Sequence, residues 1–449
     1  MGDRQQGGAS SLSASESGPG PRILLVYNDL VGQGMGGVGI RATELAKVLR
    51  SHGEMTLAAT EARGEFDGIP VIEFNPHDPR ALAPHLERAD VVVARPQWPL
   101  AMRMMRRSGA RLIFDLYDPD TFGTIEYYGE RSPRRRRLMA AFSVDRLTEA
   151  MRIGHHFICA SERQLDFYLG AMLAEGLISP AAYERDSTFR SVIDVVPFGV
   201  PPDPPRRVGG PGISDRFPGI AEGDEIVLWN GGIWDWLDAP TAIRGVAALA
   251  QRRPQVKLVF MGGSSGRLHR AEKEARDLAS ELGVLDRVAF FNDGWVPYDR
   301  RADWMLEASC AISTHGAHIE TQLAFRTRLL DCFWAGLPVV CTGGDELSGR
   351  IERDALGVTV PEENPDAVAS GLETVLDRGK EAYSGRLRLA AEEYAWPAVA
   401  EPLVRFVTSS SQAPRLGSER QGRRALRSAL YSIARRGLNA VGLRNWPRA

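Results

Sequence analysis

Short apolar runs alternate with amphipathic helical stretches along this chain, and after a proline-glycine break the same alternation starts again. The first series has Arg22–Tyr27, Met55–Ala59, Val91–Ala94, Leu112–Leu116, His156–Cys159 and Ile193–Val196, with a helix over Ile40–Arg50. The second has Glu225–Trp229, Lys257–Met261, Arg287–Phe291, Cys310–Ser313 and Pro338–Cys341, with helices over Ala239–Gln251 and Ala271–Leu282 between them. Strands that are apolar throughout, not merely on alternate residues, are covered on both faces, which calls for parallel sheets with helices on either side. Between the series lies Pro201–Gly212, PPDPPRRVGGPG, a linker by composition. A chain of 449 residues is also long for one core. The expectation is therefore two facing, doubly wound α/β domains with a cleft between the carboxyl ends of their sheets, where ligands of such folds bind. The boundaries read as a disordered leader over 1–20, a first domain over 21–200, the linker over 201–212 and a second domain over 213–394. A terminal helix kinked at its prolines follows over 395–407, then a basic tail over 408–449.

Composition narrows the class. Hydrophobic residues make up 43% and charged residues 25%, as in a soluble globular protein, and a net charge of −2 argues against a general nucleic-acid binder. Cys159, Cys310, Cys332 and Cys341 have no metal-ligand spacing and sit in or beside apolar runs, which suits free thiols in a reducing compartment. The leader is Gly/Ser-rich with no apolar core, unlike a signal peptide, and no run is long and apolar enough to span a membrane. A cytoplasmic location is expected.

The densest chemistry is in Phe325–Val340, FRTRLLDCFWAGLPVV. Its apolar residues recur at helical spacing and Gly336 ends the helix, so Arg326, Thr327 and Arg328 fall at the helix start. Two cations beside free backbone N–H groups and the positive end of a helix dipole suit a phosphate or diphosphate. Asp331, one turn in, is placed for sugar hydroxyls instead. An ordinary amphipathic helix with surface arginines is the plain alternative. Gly231 and Gly232 follow a strand end and permit close backbone approach; Trp234 and Trp236 after them could stack on a ring or simply pack. The turn NDGWVP, with Trp295, is placed to meet a flat base through its backbone, with an ordinary loop the equal alternative.

In the first domain Gly32, Gly34 and Gly37 match a dinucleotide-binding fingerprint, with Glu61 about where a ribose-binding acid would stand. However, Asn28–Val31 separates the strand end from Gly32, whereas that fingerprint needs its first glycine in the tight turn directly after the strand. Phe114–Asp120, FDLYDPD, gathers acids at another strand end. Asp115 and Tyr117 share a face by alternation, and Asp118 lies just beyond, where an acid could orient or deprotonate a hydroxyl. An aspartate before proline is also a common turn starter.

These residues reach a family. The chain resembles a retaining, nucleotide-sugar-dependent glycosyltransferase of the GT-B fold, family 4, over about residues 21–407. The resemblance rests on the GGVG loop before a helix, PFGV at Pro197–Val200, Gly232, and above all LLDCFWAGLPVV. It implies a hexosyltransferase-type enzyme that moves a sugar from a nucleoside-diphosphate sugar to a hydroxyl, with no cofactor and no metal. It also implies that Gly36 and Gly37 lie against donor phosphates and acceptor, that Asp331 replaces the family's ribose-binding glutamate, and that Tyr117-Asp118 stands where members carry His-Asp. Two positions depart from the pattern. Leu323 occupies the place of the family's other glutamate, with Glu320 the nearest acid. The run IWDWLD replaces the basic residues that members carry after the second domain's first glycine. Arg326 and Arg328 are the substitutes for that charge.

Arginines cluster at Arg131–Arg137 and through the tail from Arg415 to Arg448, where Leu426, Leu430 and Ile433 share a helical face. A basic amphipathic helix of this kind adheres to anionic headgroups, although a solvated basic tail has the same composition. The expected partners are a nucleotide sugar, a glycan or lipid-linked acceptor of the cell envelope and an anionic membrane surface. A catalytically inactive GT-B partner module and a dinucleotide-dependent oxidoreductase are the competing readings.

Overall fold

The computed structural model describes residues 20–127, 132–263 and 270–409. Residues 1–19 of the leader, residues 410–449 of the arginine-rich tail and Arg131 lie outside the described residues.

The first sheet has seven parallel strands in the spatial order Val71–Glu73, Glu54–Ala59, Arg22–Val26, Val91–Ala94, Arg111–Asp115, His156–Cys159, Ile193–Val195. The order reverses beside Arg22–Val26, the topological switch point of a doubly wound sheet. Leu24, Val26, Val92 and Phe114 pack on one face of this sheet, and Ile23, Leu25, Val93 and Ile113 on the other. That two-sided burial is why these strands read as continuous apolar runs. The second sheet repeats the arrangement with six parallel strands: Ala289–Phe291, Val256–Phe260, Glu225–Trp229, Cys310–Ser313, Val339–Thr342, Gly357–Val360.

A separate two-stranded ladder pairs Leu30–Gly32 with Glu61–Arg63. Gly32 has φ +90°, and a side chain there would run into the Arg63 carbonyl. The first glycine of the supposed dinucleotide fingerprint thus sits in a strand pairing, not in the tight turn after Val26. Glu61, the supposed ribose acid, pairs with Arg63 at 2.6 Å.

The linker is strapped to the second domain: Asp303 accepts from the Val208 amide at 2.7 Å, and Trp334 Nε1 donates to the Asp203 carbonyl at 2.7 Å. The expected single terminal helix is two short ones, Trp396–Val399 and Glu401–Thr408, divided at Ala400. They carry the chain back to the first domain. Arg405 pairs with Asp194 at 3.1 Å, Phe406 stacks on His156, and Arg111 donates to the Val407 carbonyl at 2.6 Å. Gly199 is needed for this crossing, because a Cβ there would lie 2.6 Å from the Trp396 ring.

The domains also meet on the far side of the cleft. Arg163, on the helix Glu162–Ala174, donates to the Gly344 carbonyl at 2.6 Å, and Gln164 donates to the Leu323 carbonyl at 2.8 Å. Leu323, where the family's glutamate would stand, is buried, and its backbone serves as an interdomain latch.

Candidate active site

Three strand ends of the second domain converge on one patch of backbone. Gly231 takes φ +138°; a Cβ on Gly262 would lie 2.7 Å from Gly231, and one on Gly263 only 2.1 Å from the Asn292 carbonyl. Glycine is required here because the three chains touch. Above this patch starts the helix Thr327–Trp334. Asn230 clamps its first turn, donating from Nδ2 to the Arg328 carbonyl at 2.7 Å.

Arg328 is the unusual group of the site. Its guanidinium lies over the Trp229 ring, donates to the Gly232 carbonyl at 3.1 Å and has no carboxylate partner among the described residues. Its Nη1 is buried with no hydrogen-bond partner. Burial first, and then the neighbouring Arg326, pull its pKa down to about 9. A cation left uncompensated in a protein interior is costly, and an anionic ligand would remove that cost.

The two arginines do not act as the pair expected. Arg326 is 6% exposed and turns to Glu320 at 3.0 Å and Thr321 at 2.9 Å. Its charge is already matched inside the protein, so only Arg328 offers unmatched charge. Thr327 is the first residue of the helix. Asp331 faces another element altogether, pairing through Oδ1 with Arg301 Nε at 3.0 Å. Trp295 is 40% exposed on the turn that leads from Phe291 to Tyr298. Trp234 and Trp236 stack on one another, with ring planes 7° apart.

On the first domain's side, the helix Gly37–Arg50 begins at Gly36. Gly39 is a packing glycine, since a Cβ would collide with the Leu30 carbonyl, but a Cβ on Gly36 or Gly37 would meet nothing within 4 Å. Both also keep negative φ, so neither contacts nor backbone geometry demands glycine at these two positions. Open space over bare backbone at a helix N-terminus leaves room for close approach by a ligand.

Asp115 is not at the cleft mouth. It is wholly buried, with Oδ2 2.7 Å from Arg41 Nε and 2.5 Å from the Tyr27 hydroxyl, and its Oδ1 accepts from Arg41 Nη2 at 3.1 Å. Arg41 in turn donates to the Val196 and Pro197 carbonyls, each at 2.9 Å. This is an internal strut between strand ends, and its carboxylate has no free face for a substrate. The expectation of a catalytic part for Asp115 is corrected on that ground.

Asp118, three residues past the end of the same strand, remains open to the cleft with a side chain 38% exposed. Arg95 holds it at 3.1 Å, and Tyr168 donates to its backbone carbonyl at 2.8 Å. Burial on its inner side pushes its pKa up to about 6; Asp120 and Asp115 add to this and Arg95 opposes it. Burial also pushes on Asp120, but Arg146 and Arg95 outweigh it, so Asp120 stays below the usual carboxylate range. Two neighbouring carboxylates are thereby driven apart, one an anion, the other titrating near neutrality. Such a pairing is the mark of acid–base sites. Of the groups that complete the site, Asn230, Arg301 and Arg95 carry no sequence motif and become visible only in the fold, and the pairing of Glu320 with Arg326 is likewise a product of the fold.

Residues 224–378 match the family model described as glycosyl transferases group 1. The D-inositol 3-phosphate glycosyltransferase of Xylanimonas cellulosilytica is 30% identical over 223 residues, which cover 47% of this chain and 50% of that protein. The enzyme of the same name from Nocardia farcinica is 29% identical over 224 residues, 48% of this chain and 47% of that protein. The chain thus spans about half the length of the curated relatives it matches. Among solved structures, Anabaena Alr3699/HepE in complex with UDP-glucose superposes with a TM-score of 0.60 at 16% identity, covering 86% of this chain and 99% of that one. WaaG, a glycosyltransferase involved in lipopolysaccharide biosynthesis, gives 0.59 at 17% identity over 86% of this chain and 100% of that one. The chain has the GT-B fold, and residues 224–378 in its second domain are similar to the group 1 glycosyl transferases.

Proposed function

We propose that this protein transfers a sugar from a nucleoside-diphosphate sugar to a hydroxyl acceptor in the cleft between its two domains. The observation that carries the reading is Arg328: a guanidinium beside Gly231 and Gly232, at a helix start, with no carboxylate among the described residues to balance it. A diphosphate is the ligand whose charge and reach such a place suits. In this reading the base lies along the turn carrying Trp295, the ribose on Asp331, and the diphosphate on Arg328 with Thr327 at the helix start. Departure of the diphosphate builds negative charge where Arg328 and the helix dipole already stand, so they stabilise the transition state with little reorganisation. Asp118 receives the acceptor hydroxyl's proton or orients that hydroxyl, while Gly36 and Gly37 let the acceptor or the donor phosphates lie against the backbone. The anomeric configuration is retained, as in the family the sequence resembles.

The acceptor is lipid-linked or a cell-envelope glycan, and the protein meets an anionic membrane surface from the cytoplasmic side. Supporting this, Arg134, Arg136 and Arg137 are exposed on the first turns of the helix Pro133–Ile153, against the sense of its dipole, and Leu138 and Val144 on that helix are 38% and 45% exposed. Each arginine near an anionic surface contributes about 1 kcal/mol.

The test is a panel of nucleoside-diphosphate sugars assayed for thermal stabilisation and for release of nucleoside diphosphate in the presence of lipid-linked acceptors. Stabilisation by one donor class, lost in Arg328→Met, is the expected result. Stabilisation by NAD or NADP instead would replace this reading with an oxidoreductase. Binding with no release across all acceptors would favour the inactive partner module. Anionic vesicles that fail to bind the full-length protein at low salt would remove the membrane from the account.

A further inference from the structure

Arg301 is 5% exposed, a degree of burial rare for arginine, and no motif accounts for it. Its guanidinium carbon lies 3.6 Å from the centre of the Tyr298 ring and 4.4 Å from that of Trp334. Nη1 donates to the Tyr298 carbonyl at 2.6 Å, and Nε donates to Asp331 Oδ1 at 3.0 Å. Nη2 is buried without a partner. The pair is lopsided: the arginine side chain is 7% exposed and the aspartate side chain 25%. Among the described residues Oδ2 of Asp331 has no partner, so the carboxylate is anchored through one oxygen and offers the other to solvent. Arg301 also belongs to the stretch that begins with the turn carrying Trp295 and continues through Tyr298. One segment therefore supplies both that turn and the cation holding Asp331.

We infer that Arg301 is the positioning residue for Asp331, fixing its carboxylate so that Oδ2 accepts a hydrogen bond from a ribose hydroxyl of the bound nucleotide. The inference rests on the nucleotide-sugar reading above and adds a residue that the sequence does not single out. Aspartate is one methylene shorter than the family's glutamate, so its reach is limited and its orientation matters more. The guanidinium supplies that orientation, because a planar group held against the Tyr298 and Trp334 rings and bonded to the Tyr298 carbonyl is restricted in swinging away from its partner. Selection for the ribose hydroxyls then depends on Arg301 although Arg301 does not touch the nucleotide.

The experiment compares binding of UDP, GDP and ADP with that of their 2′,3′-dideoxy counterparts by calorimetry on the full-length protein. A hydrogen bond to a charged acceptor corresponds to a preference of about 10- to 100-fold for the ribose form in the wild type. Arg301→Gln should bring that ratio to within about threefold while the diphosphate still binds. Asp331→Asn should do the same, and the double variant should lower the ratio no further than Asp331→Asn alone. Arg301→Lys, which keeps the charge without the planar clamp, should fall between and carries the test if Arg301→Gln does not fold. A ratio unchanged in Arg301→Lys or Arg301→Gln, with both affinities lowered alike, would mean Arg301 only supports the fold and would overturn the inference. A wild type that binds none of the three diphosphates would take the inference down together with the nucleotide reading, whereas a wild type that binds but does not discriminate overturns the inference alone.

Discussion

Replacing Arg328 with methionine should make the free protein more stable and its donor site useless. Among the described residues the cation has the Gly232 carbonyl, the Trp229 face and the helix start around it, with Arg326 nearby and no carboxylate partner. Burial, and then the neighbouring Arg326, lower its pKa from the ordinary guanidinium range to about 9. At about 1.4 kcal/mol for each pH unit, that fall sets a ceiling of about 5 kcal/mol on the destabilisation. Solvent reaches part of the side chain and the carbonyl contact remains, so about 1–2 kcal/mol is the expected gain on removing the charge. The sign follows from a folded-state pKa below the unfolded one. The cost is fully present below pH 9, hence constant around neutrality, and is relieved only as pH climbs above 9 towards the ordinary guanidinium range. For a domain of this size, about 1 kcal/mol moves the melting temperature by about 2–4 °C. Calorimetric or fluorescence melting at pH 7.5 should therefore show Arg328→Met melting higher than wild type without ligand, and no longer shifting when nucleoside diphosphate is added. A variant that melts lower yet keeps the full nucleotide shift would refute the reasoning.

Asp118→Asn should reduce turnover by about 10²- to 10⁴-fold with little change in donor affinity, since proton transfer matters only in the transition state. In the wild type, kcat/KM should fall on the acid side with an apparent pKa near 6, where Asp118 protonates; the variant should lack that limb. Asp115→Asn should behave differently. It strands Arg41 in a fully buried pair and should cost about 3–5 kcal/mol in urea unfolding, whatever it does to rate. Gly37→Ala should leave stability unchanged or raise it by up to about 1 kcal/mol, because a methyl there meets no protein atom, yet activity should drop if a ligand lies against that backbone.

Much of the fold was legible because parallel strands buried on both faces leave continuous apolar runs. Val91–Ala94, His156–Cys159, Glu225–Trp229 and Cys310–Ser313 stand where those runs lie. The strands missed are short or half-exposed: Leu30–Gly32, Glu61–Arg63, Val71–Glu73 and Gly357–Val360. Their hydrogen bonds come from neighbours, and their composition shows no pattern. The candidate site was less legible. Helical spacing put Arg326 and Arg328 at one helix start, but it could not show that Glu320 captures the first and leaves the second unmatched. Strand alternation set Asp115 and Tyr117 on one side, but that side faces Arg41, 74 residues away in sequence. Arg301 and Asp331 are 30 residues apart and share no motif, so only the fold brings them together.

A crystal structure with the best-binding member of the nucleotide panel decides whether a nucleoside diphosphate lies on Arg328. Diphosphate oxygens are expected within hydrogen-bond distance, about 2.7–3.2 Å, of the Arg328 guanidinium, with backbone of Gly231 and Gly232 alongside and the ribose on Asp331. A nucleotide seated over Gly32 to Gly37 with its ribose at Glu61, leaving Arg328 without an anion, would contradict that placement.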